Sequence, residues 1–146
     1  LAKRFDYKTK LKSDCQPLWR QIAPIKKYLT ACKDATRGGI SAALNEMAQK
    51  SKVKIILLEK QIPVHPEVRA MSDILGFSVY DLAGEGRFVA GVPMNKIVPV
   101  LNILRKMKLK PAFIGRAEAG RGVFLETGLG RRPLPMPEGK LVPRIC

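Results

Sequence analysis

Histidine is almost absent from this sequence, His65 being the only one. A multi-histidine metal site and a histidine relay of more than one member are therefore excluded within the chain. Cysteine is also scarce. Cys15, Cys32 and Cys146 fit no zinc or iron–sulfur spacing, and an odd number argues against a disulfide framework. This usage points to a reducing cytoplasm. No apolar run approaches the roughly 18 residues of a transmembrane helix, and the opening LAKRFDYKTK lacks the apolar stretch of a secretory signal. Aromatic residues make up only 6% of the chain. They are not interleaved with the basic residues, as a single-strand nucleic-acid binder requires, so nucleic-acid binding would rest on charge alone.

Acid is scarce relative to base, with 12 Asp and Glu against 27 Lys and Arg, for a formal net charge of +15. The excess lies at the two ends. Residues 1–33 carry nine basic and two acidic side chains and residues 102–146 carry ten and three, while 34–101 is nearly balanced at eight and seven. Such a field would attract phosphates, nucleic acid or an acidic protein surface, or it is simply a solvated surface. The 146 residues, 46% of them hydrophobic, suffice for one domain with its own core. Leu1 stands where an initiating methionine would, so a fragment or a trimmed product is expected.

Periodicity supplies the elements. Leu18, Ile22, Ile25 and Leu29 recur at helical steps and predict a helix over 16–32, with Pro17 in its first turn. DATRGG at 34–39 reads as a loop, followed by a helix over 40–50 with Leu44, Met47 and Ala48 inward. VKIILLE at 53–59 predicts a buried strand. Pro66 opens and Gly76 closes a short helix over 66–75. A strand is expected at 87–92, then a helix over about 96–107 capped by Asn95, then strands at 112–118 and 122–127 joined as a hairpin through Glu118-Ala119-Gly120-Arg121. The alternation implies an α/β or α+β domain with a mixed sheet flanked by helices. PMPEGKLVPRIC has no periodic face and reads as an extended tail.

Three groups are candidates for chemistry. Cys146, at the end of a Pro/Gly-rich tail, is a thiol able to visit more than one site, as a covalent carrier must, or else an incidental terminal cysteine. In DATRGG, two glycines precede a helix whose first amides can face an anion. Arg37 adds a bidentate cation and Thr36 a hydroxyl, while Asp34 could hold a metal ion or cap the turn. An ordinary capped loop is the plain alternative, and the P-loop pattern is absent. Glu85, between two glycines in AGEGRF, is a candidate general base or a solvated turn glutamate.

Six segments taken in order resemble the C-terminal domain of the HypE family of hydrogenase maturation proteins. They are LKSDCQPLW at 11–19, DATRGGISAALNEMA at 34–48, IPVHPEVRA at 62–70, ILGFSVYDLAGEGRFVAGV at 74–92, IGRAE at 114–118 and VPRIC at 142–146. The resemblance implies the fold of aminoimidazole ribonucleotide synthetase and selenophosphate synthetase. It divides the chain into a linker at 1–14 from a missing N-terminal ATP-binding domain, a C-terminal α/β domain at 15–134, and a flexible tail at 135–146 bearing the carrier cysteine. It further implies an ATP- and Mg2+-dependent carbamoyl dehydratase that turns a carbamoyl group on Cys146 into a thiocyanate, supplying cyanide for a nickel–iron hydrogenase. Glu85 would be the base, and Asp34, Thr36, Arg37, Gly38 and Gly39 would surround the nucleotide phosphates.

Implied partners are the carbamoyltransferase HypF, the HypC–HypD complex and a second copy, paired through the missing half. The fragment alone would be inactive. The chain departs from the family pattern at Gly84 (usually Asn), Arg87 (usually Lys) and Ala35 (usually Pro). The competing readings are a basic RNA- or protein-binding module and a same-fold synthase for another small substrate.

Overall fold

Pro24 decides how the described chain begins. In the computed structural model, which describes residues 15–138, a short helix α1 (Trp19–Ile22) stops at this proline, and a 3-10 turn follows over Lys26–Tyr28. Proline has no amide to continue the helix, and its ring crowds the carbonyl four residues earlier. The single helix expected over 16–32 is therefore not formed. Its last residues belong instead to strand β1 (Ala31–Ala35), so Cys32 sits on a strand. Ile25, just past the proline, is fully buried with Val100 and Leu104 in a small apolar cluster. The linker expected at 1–14, and Cys146 with the rest of 139–146, lie outside the described residues.

The middle of the chain follows its periodicity more closely. Helix α2 (Gly39–Ser51) buries Ala43, Leu44 and Ala48 and closes on Lys52, whose left-handed backbone lets its amide reach the carbonyls of Ala48 and Gln49. Strand β2 (Val53–Leu58) follows, then helix α3 (Pro66–Leu75), with Pro66 in its first turn and Gly76 at φ +69° closing it. After a 3-10 turn at Val79–Asp81 comes strand β3 (Gly84–Gly91). Helix α4 (Ile97–Lys106) has Lys96 at its N-cap position with no side-chain cap, so Asn95 does not play the expected part.

Strands β4 (Gly115–Ala119), β5 (Gly122–Thr127) and β6 (Gly130–Pro133) complete a mixed sheet in the order β4-β2-β5-β6. The fold class expected from the alternation is the one found. The expected β4–β5 hairpin is not. β2 lies between them, antiparallel to β4 and parallel to β5. The chain steps around the end of β2 at Gly120 and Gly122, both with positive φ. β2 takes the centre because five of its six residues, all but Lys54, are apolar, with Ile55 and Leu57 on one face and Ile56 on the other needing cover. The true hairpin is β5–β6, turning through Gly128 and Leu129.

One face of this sheet packs on α2. Ile55, Leu57, Val123 and Leu125 join Ala43, Leu44, Ala48, Tyr80, Val89 and Leu134 in the main core. The other face is covered by its own ion pairs. Lys54 pairs with Glu118 at 2.9 Å, Arg131 pairs with Glu126 at 3.0 Å, and Arg116 lies between the two acids. The register puts Arg116 and Phe124 on either side of Ile56. Ile56 is fully buried on this polar face, consistent with cover from the long stem of Arg116. Part of the basic excess is thus engaged structurally.

Two contacts fix α2. A Cβ at Gly39 would run into the carbonyl oxygens of Tyr80 and Leu82, and Gly39 has φ +59°. Gly39→Ala should therefore destabilise the fold by more than about 2 kcal/mol, because the clash is with backbone and adds to left-handed strain of about 1–2 kcal/mol. At Gly76 nothing lies within 4 Å of the added Cβ, so Gly76→Ala should lose only the strain, about 1 kcal/mol. Urea unfolding of the two variants measures the difference.

The second contact is Lys33 donating to Glu46 at 2.7 Å, which ties β1 to α2. This hydrogen bond, with the charges of Lys33 and Lys50, outweighs desolvation and holds the Glu46 carboxyl below its ordinary value of 4.5. A lowered folded-state value gives stability that is present above pH 4.5 and lost as pH falls through the folded value. Glu46→Gln should flatten the acid limb of the stability curve in that window. At neutral pH it should change stability by only about 0.5–1 kcal/mol, the pair being partly exposed. Thermal unfolding across the acid range checks both.

Candidate functional site

The ribbon formed by β1 and β3 breaks register at one point. Asp34 lies opposite Phe88, but the next residue, Ala35, lies opposite Gly84. Glu85, Gly86 and Arg87 are therefore bulged out of the ladder beside the point where β1 runs into the glycine loop. Bulges re-aim side chains near functional sites. Glu85 was expected on a turn before a strand starting at 87. It lies instead inside β3, which starts at Gly84.

The loop itself runs Thr36-Arg37-Gly38 and enters α2 at Gly39. Gly38 and Gly39 both have positive φ, and the Gly39 amide donates to the Thr36 carbonyl at 2.8 Å. The absence of side chains at the glycines serves packing. A Cβ at Gly38 would lie 2.7 Å from the Ala42 Cβ, and one at Gly39 would meet the loop carbonyls already described. Gly38 occupies the N-cap position with no side-chain cap, so neither Asp34 nor Thr36 caps the helix. The Arg37 side chain is exposed and Thr36 is half-buried. Together with the Ile40 and Ser41 amides in the first turn of a thirteen-residue helix, they offer hydrogen-bond donors to an anion.

A second sequence-distant group enters from the other side. The Cys15 thiol donates to Glu85 Oε2 at 3.3 Å, across 70 residues of sequence. Nothing in the local sequence gave Cys15 a chemical role. The pairing is set by the tertiary fold alone. Cys32 differs, because partial desolvation pushes its thiol up and the Asp34 carboxylate adds to the effect. It remains a protonated thiol at neutral pH and is a poor nucleophile.

The loop at 80–82 is fixed in turn. Tyr80, almost fully buried, donates from its hydroxyl to Glu59 Oε1 at 3.1 Å. Burial pushes its phenol up, and the bond to the Glu59 carboxylate adds to this, so it stays a donor throughout the neutral range. From the C-terminal side, Pro137 reaches the loop, its Cγ 3.5 Å from the position of a Cβ on Gly38. Asp34, Thr36, Arg37, Gly38 and Gly39 are thus brought together with Glu85, and Cys15 and Pro137 join them. His65 is exposed at the N-cap position of α3 without a side-chain cap bond. Among the described residues there is no group of three or more His, Cys, Asp or Glu side chains suited to a metal ion, and no helix is long and apolar enough to cross a membrane.

Residues 7–128 match the protein family described as AIR synthase related protein, C-terminal domain. A putative hydrogenase expression/formation protein of Methanocaldococcus jannaschii is 40% identical over 148 residues, covering 97% of this chain and 44% of the relative. Carbamoyl dehydratase HypE of Escherichia coli is 36% identical over 141 residues, covering 93% of this chain and 42% of the relative. A crystal structure of hydrogenase maturation protein HypE in complex with ATP is similar with a TM-score of 0.87 at 30% identity, covering 99% of this chain and 48% of that one. The chain spans a little under half the length of these relatives. On the family match, the ordered identity and the shared fold, the chain belongs to the AIR synthase related family, as a C-terminal domain of the HypE type.

Proposed function

We propose that this chain is the C-terminal domain of an ATP-dependent carbamoyl dehydratase that converts a carbamoyl group on Cys146 into a thiocyanate. The observation that supports the reading most is convergence. Cys15, the loop after Ala35, the bulge at Glu85 and the segment ending at Glu138 come from four stretches of sequence and meet at the start of α2. The similarity to carbamoyl dehydratase HypE and to a HypE crystallised with ATP supports the reaction class.

The residues fit the charge of a nucleotide. Arg37, the Thr36 hydroxyl and the first-turn amides of α2 beyond Gly39 would face its phosphates. Asp34 is the one acid of the loop and would contribute at most a single ligand to Mg2+, the rest coming from the N-terminal half that the relatives possess. ATP supplies the activation, since an amide oxygen leaves poorly and a phosphorylated one leaves as phosphate. Cys146 holds the carbamoyl carbon through its sulfur. The nitrogen must shed two protons before the carbon–nitrogen triple bond is complete. The first proton passes to solvent as the oxygen is phosphorylated and the C=N bond of the imidate forms. Glu85 takes the second as the carbon–oxygen bond breaks, phosphate leaves, and the N–H electron pair becomes the new π bond. Cys15, donating to Oε2, orients that carboxylate. A carbamoyltransferase of the HypF type would load the thiol, and a HypC–HypD-type complex in the cytoplasm would receive the cyanide. The second copy of a homodimer would pair through the N-terminal half.

Mass spectrometry of the C-terminal peptide of the full-length protein, incubated with carbamoyl donor, carbamoyltransferase and ATP, tests this. The wild type should show a carbamoylated and then a cyanated peptide, and Cys146→Ala should show neither. Glu85→Gln should load normally and convert about 10²- to 10⁴-fold more slowly, the usual contribution of a general base. A wild-type peptide that gains no mass, or a Glu85→Gln variant that converts at the wild-type rate, is incompatible with the assignment.

A further inference from the structure

The segment after β6 is bound along α2 by a short set of contacts, one of which has a single side chain at its centre. The Leu134 amide donates to the Val123 carbonyl at 2.8 Å, one residue beyond the β5–β6 register. Asn45 Nδ2 donates to the Leu134 carbonyl at 2.9 Å and also to the carbonyl of Ser41, one turn back on its own helix, at 2.9 Å. Both protons of one amide are thus used, one to fix the side chain and one to hold the passing chain. Leu134 is buried in the main core. Met136 lines a cavity of about 430 Å³ with Asn45, Ala48 and Lys52. Pro137 then lies against Gly38.

The dimensions agree. From Asn45 back to Gly38 is seven helical residues, about 10 Å at 1.5 Å each. From Leu134 to Pro137 is three extended residues, also about 10 Å. The two end contacts, Leu134 at Asn45 and Pro137 at Gly38, place the segment as a strap antiparallel to α2, while Met136 lines the cavity beside Ala48, Gln49 and Lys52 on the C-terminal side of Asn45. Asparagine is a poor choice for a helix interior on propensity alone. Its placement here is explained by the strap.

We propose that Asn45 is a positioning residue for the carrier reaction. It registers residues 134–138 on α2, so that the eight residues after Glu138 set out from the glycine loop and not from the end of β6. This rests on the reading of Cys146 as the carrier. Eight residues span at most about 28 Å, and a tail starting there need not cross α2 to reach Thr36, Arg37 or Glu85. Released from Asn45, the tether would start after Leu134, which its buried side chain and its bond to Val123 still hold, and lengthen to twelve residues. Length alone would then lower the local concentration of the thiol about twofold, and loss of direction would add to this. Loading by a separate carbamoyltransferase requires no docking on α2 and should not depend on the strap.

The test uses full-length protein with 13C-methyl methionine, the Met136 signal being assigned by Met136→Leu. Asn45→Asp keeps the side-chain shape but cannot donate to the Leu134 carbonyl. In this variant the Met136 methyl should move toward its free-chain position, single-turnover conversion of loaded protein should fall three- to tenfold, and loading should be unchanged. The double variant Pro135→Gly, Pro137→Gly loosens the strap without touching α2. It should give the same split between loading and conversion, which covers the case in which Asn45→Asp perturbs the helix. An unmoved Met136 signal, or a moved signal with undiminished conversion, overturns the proposal. If wild-type protein loads but never converts, the dehydratase reading fails. The Met136 signal then decides the anchor alone, movement in Asn45→Asp supporting it and no movement overturning it.

Discussion

The start of α2 is held against the carbonyl oxygens of Tyr80 and Leu82 with no room for a side chain at Gly39, and the relation between the glycine loop and Glu85 follows from that contact. A helix that begins on backbone cannot slide. The partner loop cannot slide either, because Tyr80 is buried and donates to Glu59 at the end of β2. With both sides fixed, β3 leaves the loop at Gly84 directly opposite Ala35, and three residues must bulge before the ladder resumes at Phe88. Glu85 is one of them. The bulge is therefore the consequence of two packing constraints, and it brings a carboxylate to the mouth of a helix whose N-terminus carries a partial positive charge.

Charge is distributed according to the same division of labour. Lys33, Lys50, Lys54, Arg116 and Arg131 lie in ion pairs that brace α2 or cover the outer face of the sheet. Arg37 projects from the loop into solvent. The described thiols divide similarly. Cys32 is a surface thiol pushed up by partial desolvation and by Asp34, and Cys15 is engaged with Glu85. Neither is suited to carry a group between sites, since one is a weak nucleophile and the other supports the carboxylate.

What the sequence disclosed depended on how local the signal was. α2, β2, α3 and β5 were legible because each carries its own apolar period and its own terminators, such as Pro66 and Gly76. The helix over 16–32 failed at Pro24, where one missing amide outweighed a good apolar spacing. The hairpin at 118–121 failed for a different reason. β4 and β5 are adjacent in sequence, but the mostly apolar β2 takes the place between them, and that preference is visible only when all the strands compete. β6, with the sequence GRRP, has no strand signal and forms because β5 offers it an edge. At the site, the motif residues of the loop and Glu85 were legible. Cys15 and Asn45 were not, because the partner of each lies 70 or more residues away.

A carrier thiol faces two opposed requirements. It must leave the domain to be loaded and unloaded by other proteins, which favours a long free tether. On the proposed function it must also return to the Glu85 carboxylate and the glycine loop, which favours a short one. Because the probability of finding a site falls only as roughly the three-halves power of tether length, trimming a tail by a few residues gains little. Moving the point from which it departs gains more, since it changes which surfaces the thiol meets first. A strap that is extended, proline-rich and held beyond Leu134 by few contacts satisfies both demands. It adds few contacts that must break, its prolines limit the conformations lost on docking, and it places Pro137 beside Gly38.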